Sequence, residues 1–408
     1  MRGFTMILVV AYHVALECFN QNMKLSASLP FLVLLRMPLF FFVSGFLAYK
    51  ADFLWNLPNL GKMLWKKTKI QVFPAVVFLL VFVFLRCPRG HAWDTLLHDL
   101  SVPTKGGYWF TWSLLHMFII YYLASWIQAV YYGWRARRKA KTSVTAVVQP
   151  SDEAESSAAE STAPLANPST SASANPSAPA SVNLSTSASV SPSAPAATNP
   201  NSFWYWFVLW AVFAAIYATI YMPSWFHYHE HPFYHYSSLI QTMRYMQFFL
   251  LGNIVHRYWD KVQAMMDSKW FYPLLMTVVF ITCTEYLRWH NLRLQWTNLP
   301  RTMTMYGLVM LTVTCFRYYA DHLTEEHLAG RWLQFIGKRT LDIYLLHFIL
   351  MPRLPELGKW LNAHQPNFLL DFLISLAFAV VIIAACLLIS NVLRVSPFFK
   401  LYFFGRKN

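Results

Sequence analysis

The sequence predicts an all-α protein of the membrane, a polytopic helical bundle of about ten transmembrane helices. Of its 408 residues, 56% are hydrophobic and only 12% are charged, whereas a soluble domain usually carries about 25% charged residues. Aromatic residues make up 18% of the chain, which suits side chains gathered at the two membrane–water interfaces. Apolar segments recur along the chain. We expect them to cross the membrane as helices, because helices satisfy their own backbone hydrogen bonds in lipid.

The predicted spans follow the apolar segments in order. They lie at 4–17, 29–49, 70–86, 107–133, 203–222, 234–256, 269–288, 300–318, 333–352 and 368–394. Most exceed about 17 residues, the length that crosses a hydrocarbon core of about 30 Å as a helix. The first segment reaches only ~21 Å, so it either lies buried within the bundle or begins upstream of Met1.

A change of composition divides the predicted helices into two groups. The stretch between the fourth and fifth spans is rich in Ser, Ala, Pro and Thr, and such a stretch cannot bury enough apolar surface to order itself. We therefore predict helices one to four within residues 1–133 and helices five to ten within 203–394. A disordered cytoplasmic linker is predicted at 134–202 and a cytoplasmic tail at 395–408.

The charge distribution predicts how the chain is oriented. Its net charge is +15, and Lys and Arg are concentrated in alternate loops, on the side that holds both termini. Such asymmetry favours a multi-pass protein of the inner (plasma) membrane with both termini in the cytoplasm. Attraction to anionic membrane lipid explains the net positive charge better than nucleic-acid binding does. Lipid is therefore a predicted partner and nucleic acid is not.

The first apolar segment, RGFTMILVVAYH, carries an ionisable residue at each end, Arg2 and His13. Burying such groups in hydrocarbon is costly, and segments that keep them usually do so for function. The two residues lie roughly 16 Å apart along a helix axis, about half of the hydrocarbon core. This spacing suits a long substrate whose anionic head is bound by Arg2 while its reactive end reaches His13.

Two further charged residues are candidates with open alternatives. Glu17 follows His13 by four residues, on the same helix face, where it would orient the catalytic imidazole; an interfacial carboxylate is the alternative. Arg36 would stabilise a developing oxyanion or bind the acceptor, and the alternative is a snorkelling interfacial side chain. Ser44 and Gly45 more simply permit close helix packing.

Four patterns together carry a family resemblance: RGFTMILVVAYH, RMPLFFFVSGFLAYK, KKTKIQVFP and IGKRTLDIYLLHF. In this set the chain resembles acyltransferase family 3, integral-membrane O-acyltransferases of polysaccharides and glucans. The resemblance implies that His13 is catalytic and that acyl-CoA is the donor substrate, with no permanently bound cofactor. It also implies a basic cofactor-binding cluster, matched here by Arg2, Lys66, Lys67 and Lys69.

The resemblance extends to two residues of the predicted acceptor side. His347 and Trp109 match a histidine and an aromatic pair of the family, and we assign them to substrate binding together with Arg36. Structural packing is the alternative for both. The acceptor is expected to be a hydroxyl of a glycan or lipid-linked saccharide.

Metal binding is not predicted. The loop WFHYHEHPFYH, at 225–235, alternates histidines, but residues i and i+2 point the same way only in an extended strand. Its aromatic residues favour an interfacial loop. The five cysteines lack CxxC spacing and indicate neither a disulfide framework nor a metal site.

The predicted function is a membrane O-acyltransferase that moves an acetyl or succinyl group from coenzyme A to a cell-envelope saccharide. An imidazole titrates near neutral pH and suits the required general base. We expect His13 to face a water-accessible cavity whose cytoplasmic mouth is lined by Arg2 and one of the lysines. The alternative is a transporter or flippase, although no internal repeat of the kind common in transporters is evident.

Overall fold

The computed structural model describes residues 1–51, 53–86, 91–102, 105–147, 202–221, 233, 237–291, 298–364, 367–396 and 399. Within these ranges every regular element is helical, which confirms the predicted all-α class. The α-helices there are α1 Arg2–His13, α2 Ser28–Phe46, α3 Leu57–Arg86, α4 Ala92–Ser101, α5 Trp109–Val147, α6 Phe203–Tyr221, α7 Leu239–Arg257, α8 Trp259–Met266, α9 Phe271–Asn291, α10 Asn298–Tyr318, α11 Leu328–Lys338, α12 Thr340–Leu350, α13 Pro355–Ala363 and α14 Phe368–Leu393.

Four of the described helices, α2, α3, α5 and α14, are long and apolar enough to cross a membrane. The pair α8 and α9, bent by 86°, would make a fifth span if it crosses as one unit. These helices support a membrane protein, whereas a bundle of ten spans is not confirmed. The segment 333–352 is not one continuous helix, because the backbone at Arg339 (φ −117°, ψ 18°) separates α11 from α12.

The first apolar segment forms α1 followed by a π-helical turn, Val14–Cys18. It packs against α2, α11, α12 and α14, and Met6, Val10 and Val14 are completely buried. A short helix that cannot span the hydrocarbon core is therefore enclosed by its neighbours, as one of the two sequence interpretations expected.

Two helices extend beyond the predicted boundaries. We predicted that the third span begins at residue 70, but α3 begins at Leu57, so the lysine run lies on a helix and not in a loop. Helix α5 likewise continues past residue 133 to Val147, since the Arg, Lys and Ala residues there favour helix. The rest of the predicted linker, 148–201, lies outside the described residues.

Helices α2 and α7 pack through paired glycines. A Cβ atom on Gly45 would overlap the carbonyl oxygen of Phe249, and one on Gly252 would overlap that of Phe42. The predicted packing role of Gly45 is thus confirmed. Phe41 stacks on Tyr245 at 5.2 Å between ring centroids, and the two helices run parallel.

Candidate functional site

A cavity of about 170 Å³ lies between five helices, α1, α2, α3, α5 and α12. Its wall is mixed, with apolar side chains such as Phe40, Leu114 and Phe118 between the polar ones. The polar and charged lining residues are Arg2, Thr5, Ser44, Lys67, Gln71, Thr111, Thr340 and Tyr344.

One end of this cavity is basic, and we call it the basic end. Arg2 and Lys67 line it together. A neighbouring cavity, also of about 170 Å³, is lined by Lys50, Lys66 and the same Lys67. Clustered cations without carboxylates suit a ligand that carries several phosphates. The sequence prediction that Arg2 and at least one lysine share a mouth agrees with this geometry.

The lysines of α3 are not equivalent. The ammonium of Lys67 lies 3.8 Å from the centroid of the Phe118 ring, and Lys67 is half-buried. Lys69 is exposed and lines neither of these two cavities. Two residues correspond to about 200° around a helix, so Lys69 faces away from Lys67.

His13 lies at the other end of the same helices, among aromatic rings. Its ring centroid lies 5.3 Å from that of His347 and 4.7 Å from that of Phe348. The structure therefore brings together the two histidines that the sequence singled out separately. They come from α1 and α12, which pack against each other.

Each of these imidazoles keeps one buried nitrogen without a hydrogen-bond partner. Nδ1 of His347 lies 3.1 Å from the carbonyl oxygen of Ile343; because a carbonyl only accepts, this nitrogen carries the proton and donates. Nε2 of His347 is then an acceptor, and it has no partner, as is also true of Nδ1 of His13. Buried polar atoms in proteins are nearly always satisfied, so these two nitrogens are candidates to bind a hydroxyl or water.

His13 is not itself part of the cavity lining, contrary to our expectation. Tyr344 lines the cavity, and its ring lies 5.8 Å from the ring of His347. Thr340, Tyr344 and His347 share one face of α12 at helical spacing. Tyr344 thus borders both the cavity and the histidine pair, and its ring forms an aromatic layer next to His347.

Arg36 belongs to the His13 end of this arrangement. It is only 9% exposed, and its guanidinium carbon lies 3.4 Å from the centroid of the Tyr12 ring. Its Nε atom is buried without a hydrogen-bond partner. The side chain is therefore enclosed in the bundle and does not snorkel to the surface.

Two predicted site residues are placed away from the histidines. Glu17 is exposed and makes no hydrogen bond to His13 within the described structure. The π-helical turn at Val14–Cys18 breaks the i,i+4 register on which that prediction depended. Trp109 stacks against Tyr245 at 6.1 Å, while its neighbour Phe110 lines the cavity.

Sequence reasoning missed Thr5, Tyr12 and Tyr344. Thr5 follows Arg2 by three residues and Tyr344 precedes His347 by three, and this spacing places each on the face of its recognised neighbour. The contact of Tyr12 with Arg36 joins two helices and leaves no signal along the chain. No group of metal-ligating residues occurs in the part of the chain that the structure describes, and nearly all of the loop 225–235 lies outside it.

Comparison with protein families gives a match to the model of an acyltransferase domain, over residues 1–148 and 196–391. The chain belongs to acyltransferase family 3. The match covers both groups of helices and omits the centre of the Ser/Ala/Pro-rich stretch. Comparison with curated proteins and with solved structures gives no significant match.

Membership in this family shows that the protein is an enzyme of the membrane, an acyltransferase that transfers groups other than aminoacyl groups. It favours the acyltransferase prediction over the transporter alternative. A member of acyltransferase family 3 transfers an acyl group from a donor to an acceptor. The cavity and the histidine pair are the candidate site for this reaction.

Proposed function

We propose that this protein transfers an acyl group, acetyl or succinyl, from coenzyme A to a hydroxyl of a cell-envelope saccharide. The observation that carries the proposal is the arrangement along α1. The cations of Arg2 and Lys67 line the same cavity, and His13 lies roughly 16 Å further along the helix axis. Phosphates bound at the basic end would leave an extended pantetheine arm pointing toward the imidazole.

In the proposed reaction, the acceptor hydroxyl lies between His13 and His347. Nδ1 of His13, buried without a partner, accepts the hydroxyl proton as the oxygen attacks the thioester carbonyl, and the proton then passes to the departing thiolate. General base catalysis of this type contributes typically 10²- to 10⁴-fold. Arg36, beside Tyr12, is suited to stabilise negative charge that develops nearby.

The aromatic layer formed by Tyr344 must move for the thioester to reach His13. Tyr344 is held by its hydroxyl, which donates to the carbonyl oxygen of Gly107 at 2.8 Å. We propose that the pantetheine arm displaces this ring when the donor binds. Under this proposal both termini lie in the cytoplasm, since the basic end then faces the compartment that supplies acyl-CoA.

Purified protein in detergent, given radiolabelled acetyl-CoA or succinyl-CoA and a saccharide acceptor, tests the proposal. Label should appear in an ester on the saccharide, together with free coenzyme A in equal amount. Protein reconstituted in vesicles provides the counter-test. Saccharide that crosses the bilayer unmodified, with no coenzyme A released, would contradict the proposal.

A further inference from the structure

Three arginines from three helices lie around a pair of interacting tyrosines, Tyr245 and Tyr217. Arg36 comes from α2, Arg244 from α7 and Arg301 from α10. The guanidinium carbon of Arg244 lies 6.0 Å from the centroid of the Tyr245 ring, and Tyr245 also interacts electrostatically with Arg36. Tyr217, from α6, interacts with Arg244, Arg301 and Tyr245.

Contacts between α2, α7 and α10 lie close in sequence to each of these arginines. Phe41 stacks on Tyr245, one turn or so after Arg36 on α2. The hydroxyl of Tyr306 donates to Oε1 of Gln247 at 2.6 Å, which fixes α10 beside α7. Arg301 precedes Tyr306 by five residues and Arg244 precedes Gln247 by three, so each arginine lies within about one and a half helical turns of this contact.

No carboxylate balances the two best-defined cations of this group. Within the described ranges, neither Arg36 nor Arg301 forms an ion pair, and the Nε atom of each is buried without a hydrogen-bond partner. Three of the carboxylates in the described structure contact other groups instead, in the pairs Asp371–Ser26, Glu285–Arg288 and Glu356–Lys359.

Uncompensated cations within a membrane bundle are expensive, and intramembrane arginines usually mark a ligand path. Guanidinium groups bind carboxylates and phosphates in bidentate geometry. Trp109, which stacks on Tyr245, adds an aromatic face of the kind that packs against sugar rings.

We propose that this arginine cluster, Arg36, Arg244 and Arg301, binds an anionic group of the acceptor, so that the acceptor is an acidic saccharide bearing a carboxylate or a phosphate. This inference rests on the proposed function and specifies its acceptor. The anion is held at the His13 end, on the opposite side of the aromatic layer from the cations that hold the donor.

Direct binding tests the inference without requiring turnover. The purified protein is titrated with methyl glucuronide, glucose 1-phosphate and neutral methyl glucoside, with intrinsic tryptophan fluorescence and calorimetry as readouts. We expect at least one anionic sugar to bind ~10-fold or more tightly than the neutral sugar, as charge-assisted contacts require. The stronger of the two anions identifies the group as carboxylate or phosphate.

Variants at matched arginines supply the control. Arg301→Gln should remove the preference for the anionic sugar, whereas Arg288→Gln, at an exposed arginine paired with Glu285, should keep it. Coenzyme A binding, measured on both variants, should be unchanged and reports that the fold is intact. Equal binding of all three sugars, binding of none, or an anion preference that survives Arg301→Gln would overturn the inference.

The donor offers a second source of the same anion, the free carboxylate of a succinyl group. Kinetics with acetyl-CoA and succinyl-CoA separate the two. If Arg301→Gln abolishes a preference for succinyl-CoA while sugar binding is unaffected, the cluster serves the acyl group and the inference is wrong. Absence of acyl transfer with intact anion binding would instead count against the proposed function alone.

Discussion

Replacing Lys67 by glutamine removes one positive charge from the wall that the two basic cavities share. A hydrogen bond to a charged group contributes about 1.5–3 kcal/mol. In the free protein the ammonium already contacts the Phe118 ring at 3.8 Å, a contact worth roughly 0.5–1 kcal/mol. Since that contact is lost when the lysine turns to a phosphate, the net contribution is about 1–2 kcal/mol.

The expected result is that Lys67→Gln weakens coenzyme A binding about 5- to 30-fold, at 1.4 kcal/mol for each factor of ten. Isothermal titration calorimetry on the purified protein measures this change. The loss should shrink at high ionic strength, because salt screens the partly exposed cluster.

Lys69 provides the matched control, since it belongs to the same run but is exposed and faces away from both cavities. Lys69→Gln should change the affinity less than about two-fold, as surface charges contribute little. Lys67→Arg should restore most of the binding. Equal losses of coenzyme A affinity at positions 67 and 69 would contradict a specific role of Lys67 in the cavity. The lysines would then act only through long-range electrostatic attraction.

Two further predictions concern stability, measured as thermal unfolding in detergent. Gly45→Ala should destabilise the protein by about 1–3 kcal/mol through overpacking, because the added Cβ meets the backbone of Phe249. Gly61→Ala is the control and should not destabilise the protein, because a Cβ there meets open space. Equal effects of the two substitutions would argue against the tight α2–α7 contact. Asp342→Asn should cost about 3–5 kcal/mol, since Asp342 is buried and accepts three hydrogen bonds from Arg394, at 2.6, 2.8 and 3.0 Å. Glu356→Gln, in the exposed pair with Lys359, should cost less than about 1 kcal/mol, and similar losses at the two sites would show that the Asp342 pair is not buried in solution.

The sequence predicted the helical class correctly, and it placed Arg2 and His13 on one helix, because both inferences depend on local spacing. Apolar runs identify helices wherever they occur, and Arg2 and His13 are eleven positions apart on one of them. The distinction between Lys67 and Lys69 also follows from helical periodicity, but only once α3 is known to begin at Leu57 and not at residue 70.

The features that the sequence did not predict depend on breaks in helical periodicity or on contacts between helices. The π-helical turn at Val14–Cys18 moves Glu17 off the face of His13, and the non-helical backbone at Arg339 divides a segment that looks continuous. The approach of His347 to His13 and the stacking of Arg36 on Tyr12 join distant parts of the chain. Such pairings are set by tertiary packing, which a single sequence does not encode in readable form.

The central claim is that His13 acts as the base in acyl transfer, and its most direct test is the turnover number of His13→Ala with saturating radiolabelled acyl-CoA. We expect a fall in kcat of about 10²- to 10⁴-fold, with coenzyme A affinity and thermal stability close to those of the unmodified protein. A folded His13→Ala protein that esterifies the saccharide at the original rate would contradict it.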